Sequence, residues 1–193
     1  APGLCDVLVG LGASADEPIA GGRHKVFGSR ALAVPPQTSA IASHLPKAVG
    51  YAVALERRAR LGRRREHRIA MCSFGDASVN HATAQAAFNA AGWVDHQHLP
   101  VPLLFVCEDN GIGISVPTPE GWVARAFSAR PGIHSVAGDG LDLLAAWDAA
   151  AAAVAYVRRT RRPAFLHLRT VRLLGHAGSD VEQLYRTAQQ VAD

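Results

Sequence analysis

The sequence predicts an α/β fold in which a parallel sheet is flanked by helices. Three short apolar segments, IAMCSF at 69–74, PLLFVCE at 102–108 and AFLHLRTV at 164–171, are typical of buried strands. Segments with apolar residues at helical spacing separate them. Strands that alternate with helices indicate a parallel sheet covered on both faces, whose binding sites lie at the carboxyl ends of the strands.

The chain before the first strand divides into two parts. Glycine and proline recur through residues 1–38, so we expect an irregular segment with at most short helices there. A helix is expected from about Pro46 to Leu61, because proline suits the first turn and KAVGYAVALERRARL keeps apolar residues at helical spacing. Residues 39–193 then form one domain, and no internal repeat or second boundary is visible.

The remaining elements follow from the same patterns. An alanine-rich helix is expected at about 80–92, ending near Gly92, and a short helix runs from Trp122 to Phe127. A short strand and turn are expected at 134–140. The strongest helical pattern of the chain, LDLLAAWDAAAAAVAYVRRT, spans 141–160.

Composition and charge exclude several classes of protein. The hydrophobic content of 49% argues against disorder, and no apolar run is long enough to cross a bilayer, so we expect no membrane partner. The net charge of +4 comes largely from RRARLGRRREHR at 57–68 and RRTRR at 158–162, which we expect to be solvated helix ends. Because no aromatic residues interleave with these arginines, we expect no nucleic acid partner.

The three cysteines indicate a reducing compartment. Cys5, Cys72 and Cys107 are an odd number without paired spacing, and we therefore expect a cytoplasmic protein. Cys72 and Cys107 lie in predicted core strands and are expected to be inert, although their closeness leaves an occasional disulfide open. No signal peptide is visible and residue 1 is not Met, so a processed or cut start is expected.

Two segments carry the chemistry of the chain. SFGDASVN at 73–80 contains Asp76, and VCEDNGIG at 106–113 contains Asn110, 34 residues later. This spacing, with one helical pattern between them, suits adjacent parallel strands whose carboxyl ends lie side by side. Two hard oxygen ligands beside glycine-rich backbone predict a magnesium diphosphate site.

Neighbouring groups would complete such a site. The backbone amides of Ala77 and Ser78 open a turn into a helix, where unpaired N–H groups bind phosphate. The GIG segment after Asn110 is flexible enough to turn a carbonyl inward. Arg172 and His176 follow the third strand and would add donors at the same edge.

Each residue could also have an ordinary structural role. Taken singly, Asp76 is more often a helix cap, Asn110 a turn residue, and Arg172 and His176 a surface charge and a loop histidine. Their joint placement after three successive strands favours the shared site.

These segments resemble the alpha subunit, or alpha half, of thiamine-diphosphate-dependent 2-oxo acid dehydrogenases, over roughly residues 20–187. GDAS with EDN is similar to the GDG-to-NN motif of that family. The resemblance implies that Asp76 and Asn110 bind Mg²⁺ together with the backbone carbonyl of Ile112. It also implies that the diphosphate is lined by Gly75, Ala77 and Ser78.

Two further segments extend the resemblance. TSAIASHLPKAVGYAVA is similar to a family segment in which Ser39 and Ile41 would meet the aminopyrimidine through backbone atoms. TVRLLGHAGSD is similar to the active-site loop of the family. It implies that Arg172 holds the diphosphate, and that His176 faces the reactive carbon as an acid/base or orients acyl transfer.

The chain departs from the family pattern at several positions. Ala77 replaces the second glycine of GDG, and Asp109 replaces the first asparagine of NN. Leu174 stands where many relatives have another histidine. Ala177 stands at a serine that mitochondrial relatives phosphorylate, so that regulation is not expected. His24 is the candidate for a substrate-channel histidine.

The resemblance implies oxidative decarboxylation of a 2-oxo acid, with acyl transfer to a lipoyl group. The implied partners are a beta subunit or beta half, which supplies the activating glutamate, the lipoyl domain of the acyltransferase component, and the 2-oxo acid. Alone, the chain is expected to be inactive. A degenerate non-catalytic subunit, or another enzyme of the transketolase or decarboxylase type, is the alternative.

Two weaker patterns are not expected to be functional. VLVGLGASA at 7–15 fits the dinucleotide pattern G-x-G-x-x-A, but Pro18 and two glycines follow it instead of a helix. His96-x-His98 has metal-ligand spacing, but it lies in a polar loop without a cysteine nearby.

Overall fold

The computed structural model describes residues 2–24, 26–62 and 67–192. The chain divides into two compact units, Ala1–His44 and Leu45–Asp193. The first unit contains helix α1, Pro2–Leu11, followed by turns and one antiparallel bridge between Ser29 and Val34. Helix α1 is ten residues long, in keeping with the short helices expected before residue 39, and proline again occupies the first turn.

The second unit is built on a four-stranded sheet. The strands are β1 (Ala70–Gly75), β2 (Leu103–Asp109), β3 (His134–Asp139) and β4 (Ala164–Arg169). Their order is β1-β2-β4-β3, and every neighbouring pair is parallel. The predicted fold class, a parallel sheet with alternating helices, is thus confirmed.

Five more helices and two short 3₁₀ turns complete the described chain. Helix α2 precedes β1, α3 follows it, α4 and α5 flank β3, and α6 lies near the end. Their bounds are α2 His44–Arg60, α3 Ala82–His96, α4 Trp122–Phe127, α5 Leu143–Thr160 and α6 Ala188–Ala192; the turns are Asp76–Asn80 and Glu182–Leu184.

The end of α3 corrects the sequence-based prediction. The helix continues past Gly92 to His96. A Cβ atom at Gly92 would lie 2.7 Å from the carbonyl oxygen of Pro131, so the missing side chain serves close packing. We misread Gly92 as the end of the helix because glycine is favoured both at helix ends and where another backbone segment packs closely.

Opposite faces of the sheet carry different cores. An aromatic cluster covers one face, in which Phe127 stacks on Phe165 with ring centroids 3.7 Å apart. Its other members are Phe74, Phe88 and Phe105. On the opposite face α5 packs Ala153 and Val157 against the strands. Because all four strands run parallel, the residues that follow them emerge at one edge of the sheet, the carboxyl edge.

The arginine-rich ends of α2 and α5 are only partly as expected. Part of the 57–68 cluster, residues 63–66, lies outside the described residues. At the end of α5, the expectation of solvated arginines is wrong for Arg161. Its side chain is 8% exposed, and Nε donates to Glu56 at 2.6 Å. A buried carboxylate on α2 needs a cationic partner, and Arg161 supplies it.

The cysteines and the helices bear on two further expectations. Cys72 and Cys107 are buried, Cys5 is exposed, and all three are free thiols. Burial raises the pKa of Cys72 to about 12, and burial with nearby carboxylates also raises that of Cys107.

Among the described residues, no helix combines the length and apolar character needed to cross a membrane.

Candidate functional site

Asp76 is a buried carboxylate at the carboxyl end of β1. It opens the Asp76–Asn80 turn and is 1% exposed. Its Oδ2 accepts a hydrogen bond from the hydroxyl of Thr118, and the backbone amide of Asn110 contributes another. Burial and the nearby charge of Asp109 raise the pKa of Asp76, although these hydrogen bonds oppose the rise.

Asn110 lies beside Asp76 at the end of β2. The register pairs Gly75 with Glu108, so the next residues of the two strands emerge at the same edge. The Asn110 Oδ1 accepts a hydrogen bond of 3.1 Å from the amide of Ile112. The structure therefore brings together the two residues on which the sequence-based site depends.

A small hairpin of residues 111–118 connects this edge to α4. The amide of Thr118 donates to the carbonyl of Gly111 at 2.9 Å, and the amide of Gly113 donates to that of Val116 at 2.8 Å. Neither bond uses the carbonyl of Ile112, the predicted backbone ligand. Sequence reasoning missed Thr118, which no local pattern connects to an aspartate 42 residues earlier.

The backbone after Asp76 forms the expected turn into a helix. The amides of Ala77 and Ser78 lie in the 3₁₀ turn Asp76–Asn80, and α3 begins shortly afterwards, at Ala82. The His81 side chain caps α3 by accepting from the amide of Thr83.

Two contacts hold this turn in place. The indole N–H of Trp122 donates to Asn80 Oδ1 at 2.8 Å. A Cβ atom at Gly113 would lie 3.2 Å from the Cβ of Ala77, so the hairpin passes directly over the exposed Ala77. Gly75, the remaining predicted diphosphate residue, ends β1 and is half-buried.

Arg172 is more heavily bonded than a surface charge would be. Its Nη1 donates to the carbonyls of Gly113 and Ile114 at 2.9 and 3.0 Å, and its Nη2 donates to Glu182 and Tyr185, both at 2.8 Å. Burial alone would lower the pKa of Arg172, but the bonds to Glu182 and Tyr185 outweigh it and raise that pKa. The sequence offered no signal for Glu182 or Tyr185 as partners.

His176 lies on an exposed loop that Asp180 holds. The backbone amide of His176 donates to Asp180 Oδ2 at 2.7 Å, and the hydroxyl of Tyr185 donates to the same oxygen at 2.6 Å. A chain of hydrogen bonds through Asp180 and Tyr185 thus connects the backbone of His176 to the side chain of Arg172. Among the described hydrogen bonds, the imidazole of His176 reaches neither Asp76 nor Asn110.

The remaining predicted cofactor residues belong to the first compact unit. Ser39 Oγ lies 2.9 Å from His24 Nε2, so these two predicted residues are hydrogen-bonded to each other. Ile41 is 58% exposed. The pairing of Ser39 with His24 was not foreseen, because the two residues lie 15 positions apart in a turn-rich segment without a helical or strand repeat.

The two weaker patterns lie partly in helices α1 and α3. Gly10 lies inside α1, so the 7–15 segment has no strand before its glycines. His96 ends α3 and lies with its ring 5.2 Å from that of Trp93. His96 and His98 border a cleft of about 1010 Å³ at the amino edge of the sheet. Across the described residues no group of three or more metal-ligating side chains occurs.

Comparison with known proteins identifies the family. Residues 5–193 match the family model for the dehydrogenase E1 component. The mitochondrial 2-oxoisovalerate dehydrogenase subunit alpha of Caenorhabditis elegans is 34% identical over 157 residues, which cover 80% of this chain and 34% of that protein. The pyruvate dehydrogenase E1 component subunit alpha of Zymomonas mobilis is 34% identical over 124 residues, covering 62% of this chain and 33% of that protein.

A solved structure supports the fold. Transketolase from Leishmania mexicana superposes with a TM-score of 0.52 at 22% identity, over 69% of this chain and 20% of that chain. The chain spans about a third of the length of the curated relatives it matches. The match over residues 5–193 leads to one conclusion: the chain belongs to the dehydrogenase E1 component family.

Proposed function

We propose that this chain, as an alpha subunit or alpha half, binds the magnesium diphosphate end of thiamine diphosphate. In that role it takes part in the oxidative decarboxylation of a 2-oxo acid and the transfer of the acyl group to a lipoyl group. The observation that carries the proposal is the buried carboxylate of Asp76, which lies at the carboxyl edge of the sheet beside Asn110.

The chemistry of the donor set fits Mg²⁺. The described hydrogen bonds to the Asp76 side chain come from a hydroxyl and backbone amides, and none comes from Lys or Arg. A buried anion near a second carboxylate, Asp109, favours a bound cation. Asp76, Asn110 and the carbonyl of Ile112 would supply oxygen ligands, and phosphate and water would complete the preferred six.

Other groups of the chain suit the diphosphate and the reaction. Gly75, Ala77 and Ser78 offer close backbone approach at the same edge, and Arg172 brings a positive charge. Thiamine diphosphate, when bound, supplies the electron sink for breaking the bond between the carboxylate and the keto carbon. His176 would exchange a proton with the reacting group or orient acyl transfer, and Asp180 holds its loop.

The rest of the site would come from the first unit of this chain and from a partner. Ser39 and Ile41 of this chain would meet the aminopyrimidine through backbone atoms, and a beta subunit or beta half would supply the remaining catalytic groups. The lipoyl domain of the acyltransferase component and a 2-oxo acid are the other proposed partners. The three free cysteines support a reducing, cytoplasmic location.

Calorimetry tests this proposal directly. Thiamine diphosphate is titrated, with and without Mg²⁺, into the chain assembled with a beta partner. We expect Mg²⁺-dependent binding that Asp76→Asn abolishes, because the isosteric amide cannot supply the anionic ligand. The control, Asp148→Asn on the exposed side of α5, should bind normally. Equal binding by the wild type and Asp76→Asn would reject Asp76 as a ligand; no binding by the wild type would favour a non-catalytic subunit.

A further inference from the structure

We propose that residues 111–118, the brace hairpin, set the position of Asp76 relative to Arg172, and that Thr118 is the positioning residue for the Asp76 carboxylate. This inference rests on the proposed function, because it concerns how two of the proposed cofactor residues are held.

The brace hairpin meets Asp76 through a single side chain. The hydroxyl of Thr118 donates to Oδ2 of the carboxylate, which is 1% exposed. A carboxylate turns about its last single bond over a broad range of angles unless hydrogen bonds hold it. The hydroxyl of Thr118, together with the backbone amides of Asp76 and Asn110, therefore restrains the plane of the carboxylate in which a cation would meet it.

The same hairpin meets Arg172 through its backbone. The Nη1 of Arg172 donates to the carbonyls of Gly113 and Ile114, at the turn of the brace hairpin. On the other side of the guanidinium, Glu182 and Tyr185 accept from Nη2. Arg172 is thereby clamped between the hairpin and the segment after His176, and its place is not set by β4 alone.

The hairpin is stiff enough to transmit these positions. Two backbone hydrogen bonds of 2.9 and 2.8 Å close it, from Thr118 to Gly111 and from Gly113 to Val116. Gly111 has a φ of +74°, which glycine adopts at little cost. A Cβ atom at Gly113 would lie 3.2 Å from Ala77, so the hairpin also rests against the turn that carries Asp76.

These contacts connect the residues around the proposed diphosphate site to one another. The brace hairpin follows Asn110 in the chain, its last residue, Thr118, bonds Asp76, and the carbonyls at its turn bond Arg172. A change at Thr118 should therefore alter cofactor binding without removing any group that touches the cofactor. That distinction between positioning and contact is what an experiment can measure.

Thr118→Val tests the hydroxyl, because valine keeps the shape of threonine and removes only the donor. Magnesium-dependent binding of thiamine diphosphate to the chain assembled with a beta partner should weaken by about tenfold to a hundredfold, the usual range for a lost hydrogen bond to a charged group. Thr118→Ser, which keeps the hydroxyl, should restore most of the affinity. The matched control is Thr160→Val, whose hydroxyl bonds Tyr156 at the far end of α5 and which should bind normally.

A second readout separates positioning from folding. Thermal unfolding of the cofactor-free assembly is measured for both variants. Thr160→Val loses a donor to Tyr156 and an acceptor for the amide of Arg162, and should lower the unfolding temperature without weakening cofactor binding. Gly113→Ala probes the brace hairpin by another route: its methyl group must displace the hairpin from Ala77 by a few tenths of an ångström. We expect weaker magnesium-dependent binding in this variant too, with little change in unfolding.

The outcomes distinguish the brace hairpin from the proposed function. If the wild type binds, Asp76→Asn does not, and both Thr118→Val and Gly113→Ala bind as tightly as the wild type, the positioning role is rejected and the cofactor site stands. If Thr118→Ser fails to restore affinity, the hydroxyl is not the positioning group. If the wild type itself does not bind, the proposed function fails, and the positioning role fails with it.

Discussion

The side chain of Arg162 holds Asp95 through two hydrogen bonds of 2.7 Å, one from Nε and one from Nη2. Asp95 belongs to the last turn of α3, whereas Arg162 lies between α5 and β4, 67 residues later. The Asp95 side chain is 5% exposed and that of Arg162 is 55% exposed. The pair therefore connects the end of α3 to the segment between α5 and β4 at the amino edge of the sheet. It also supplies a charged partner to a carboxylate that is nearly buried.

Replacing Asp95 should cost stability and leave the cofactor site alone. We expect Asp95→Asn to lower the free energy of unfolding by about 1–3 kcal/mol, below the full cost of a buried pair because Arg162 is half-exposed. The control is Asp139→Asn, which breaks the exposed pair with Arg169 and should cost less than about 1 kcal/mol. Urea unfolding of both variants makes the comparison, and equal losses would contradict it.

Gly92 should tolerate no side chain, although it lies within a helix. In Gly92→Ala the new methyl group would meet the carbonyl oxygen of Pro131 at 2.7 Å, so α3 or the segment before β3 must move. We expect a loss of about 1–3 kcal/mol, as in overpacked cores. Gly50→Ala in α2 is the matched control, because no atom lies within 4 Å of its Cβ position. It should gain up to about 1 kcal/mol from helix propensity, and the reverse order of the two variants would contradict this packing.

The loop that carries His176 should loosen in acid. The hydroxyl of Tyr185 and the amide of His176 hold the pKa of Asp180 below its ordinary value of 3.8. A lowered pKa means that the ionised carboxylate stabilises the folded loop above about pH 4, and that this contribution is lost as the pH falls through the folded-state pKa.

NMR of the His176 amide is the measurement for this loop. Its proton shift should follow a titration with a midpoint below 3.8, and Tyr185→Phe should move that midpoint upward because one donor to Asp180 is removed. Asp180→Asn should abolish the titration. A midpoint at or above 3.8 in the wild type would show that the two hydrogen bonds do not form in solution.

The three thiols should react at very different rates. Cys5 is exposed, whereas burial keeps Cys72 and Cys107 protonated, with the pKa of Cys72 near 12. Because the thiolate is the reactive form, a disulfide reagent at about pH 8 should titrate one thiol in the folded protein and three in denaturant. Cys5→Ser should leave no fast-reacting thiol, and two or more fast thiols in the wild type would contradict the buried arrangement.

Much of the fold could be read from the chain because its signals are local. The apolar segments of β1, β2 and β4 and the long helix α5 repeat over short distances, and the structure confirms each to within a few residues. Gly92 was misread because a single glycine does not reveal whether a helix stops or another backbone approaches. The prediction of a solvated Arg161 failed because its partner, Glu56, lies 105 residues earlier.

The candidate site likewise combines residues that local sequence signals identify with residues that only distant contacts identify. Asp76 and Asn110 directly follow strands, so their meeting at one edge follows from parallel pairing alone. Thr118 and Tyr185 follow no strand, and their roles depend on how a hairpin and a terminal segment fold back across the edge. Nothing in their neighbourhood along the chain indicates the partner.

By itself, the sequence determined the alternation of strands and helices, the parallel sheet, and the edge at which the candidate site residues lie, since each depends on hydrophobic periods of a few residues. Only the tertiary structure decided which groups hold those candidate residues: the Thr118 hydroxyl bonds Asp76, the hairpin carbonyls bond Arg172, and the Asp180 carboxylate bonds the backbone of His176. Such contacts join residues whose spacing along the chain follows no helical or strand repeat. They therefore form only when the loops pack against the folded sheet.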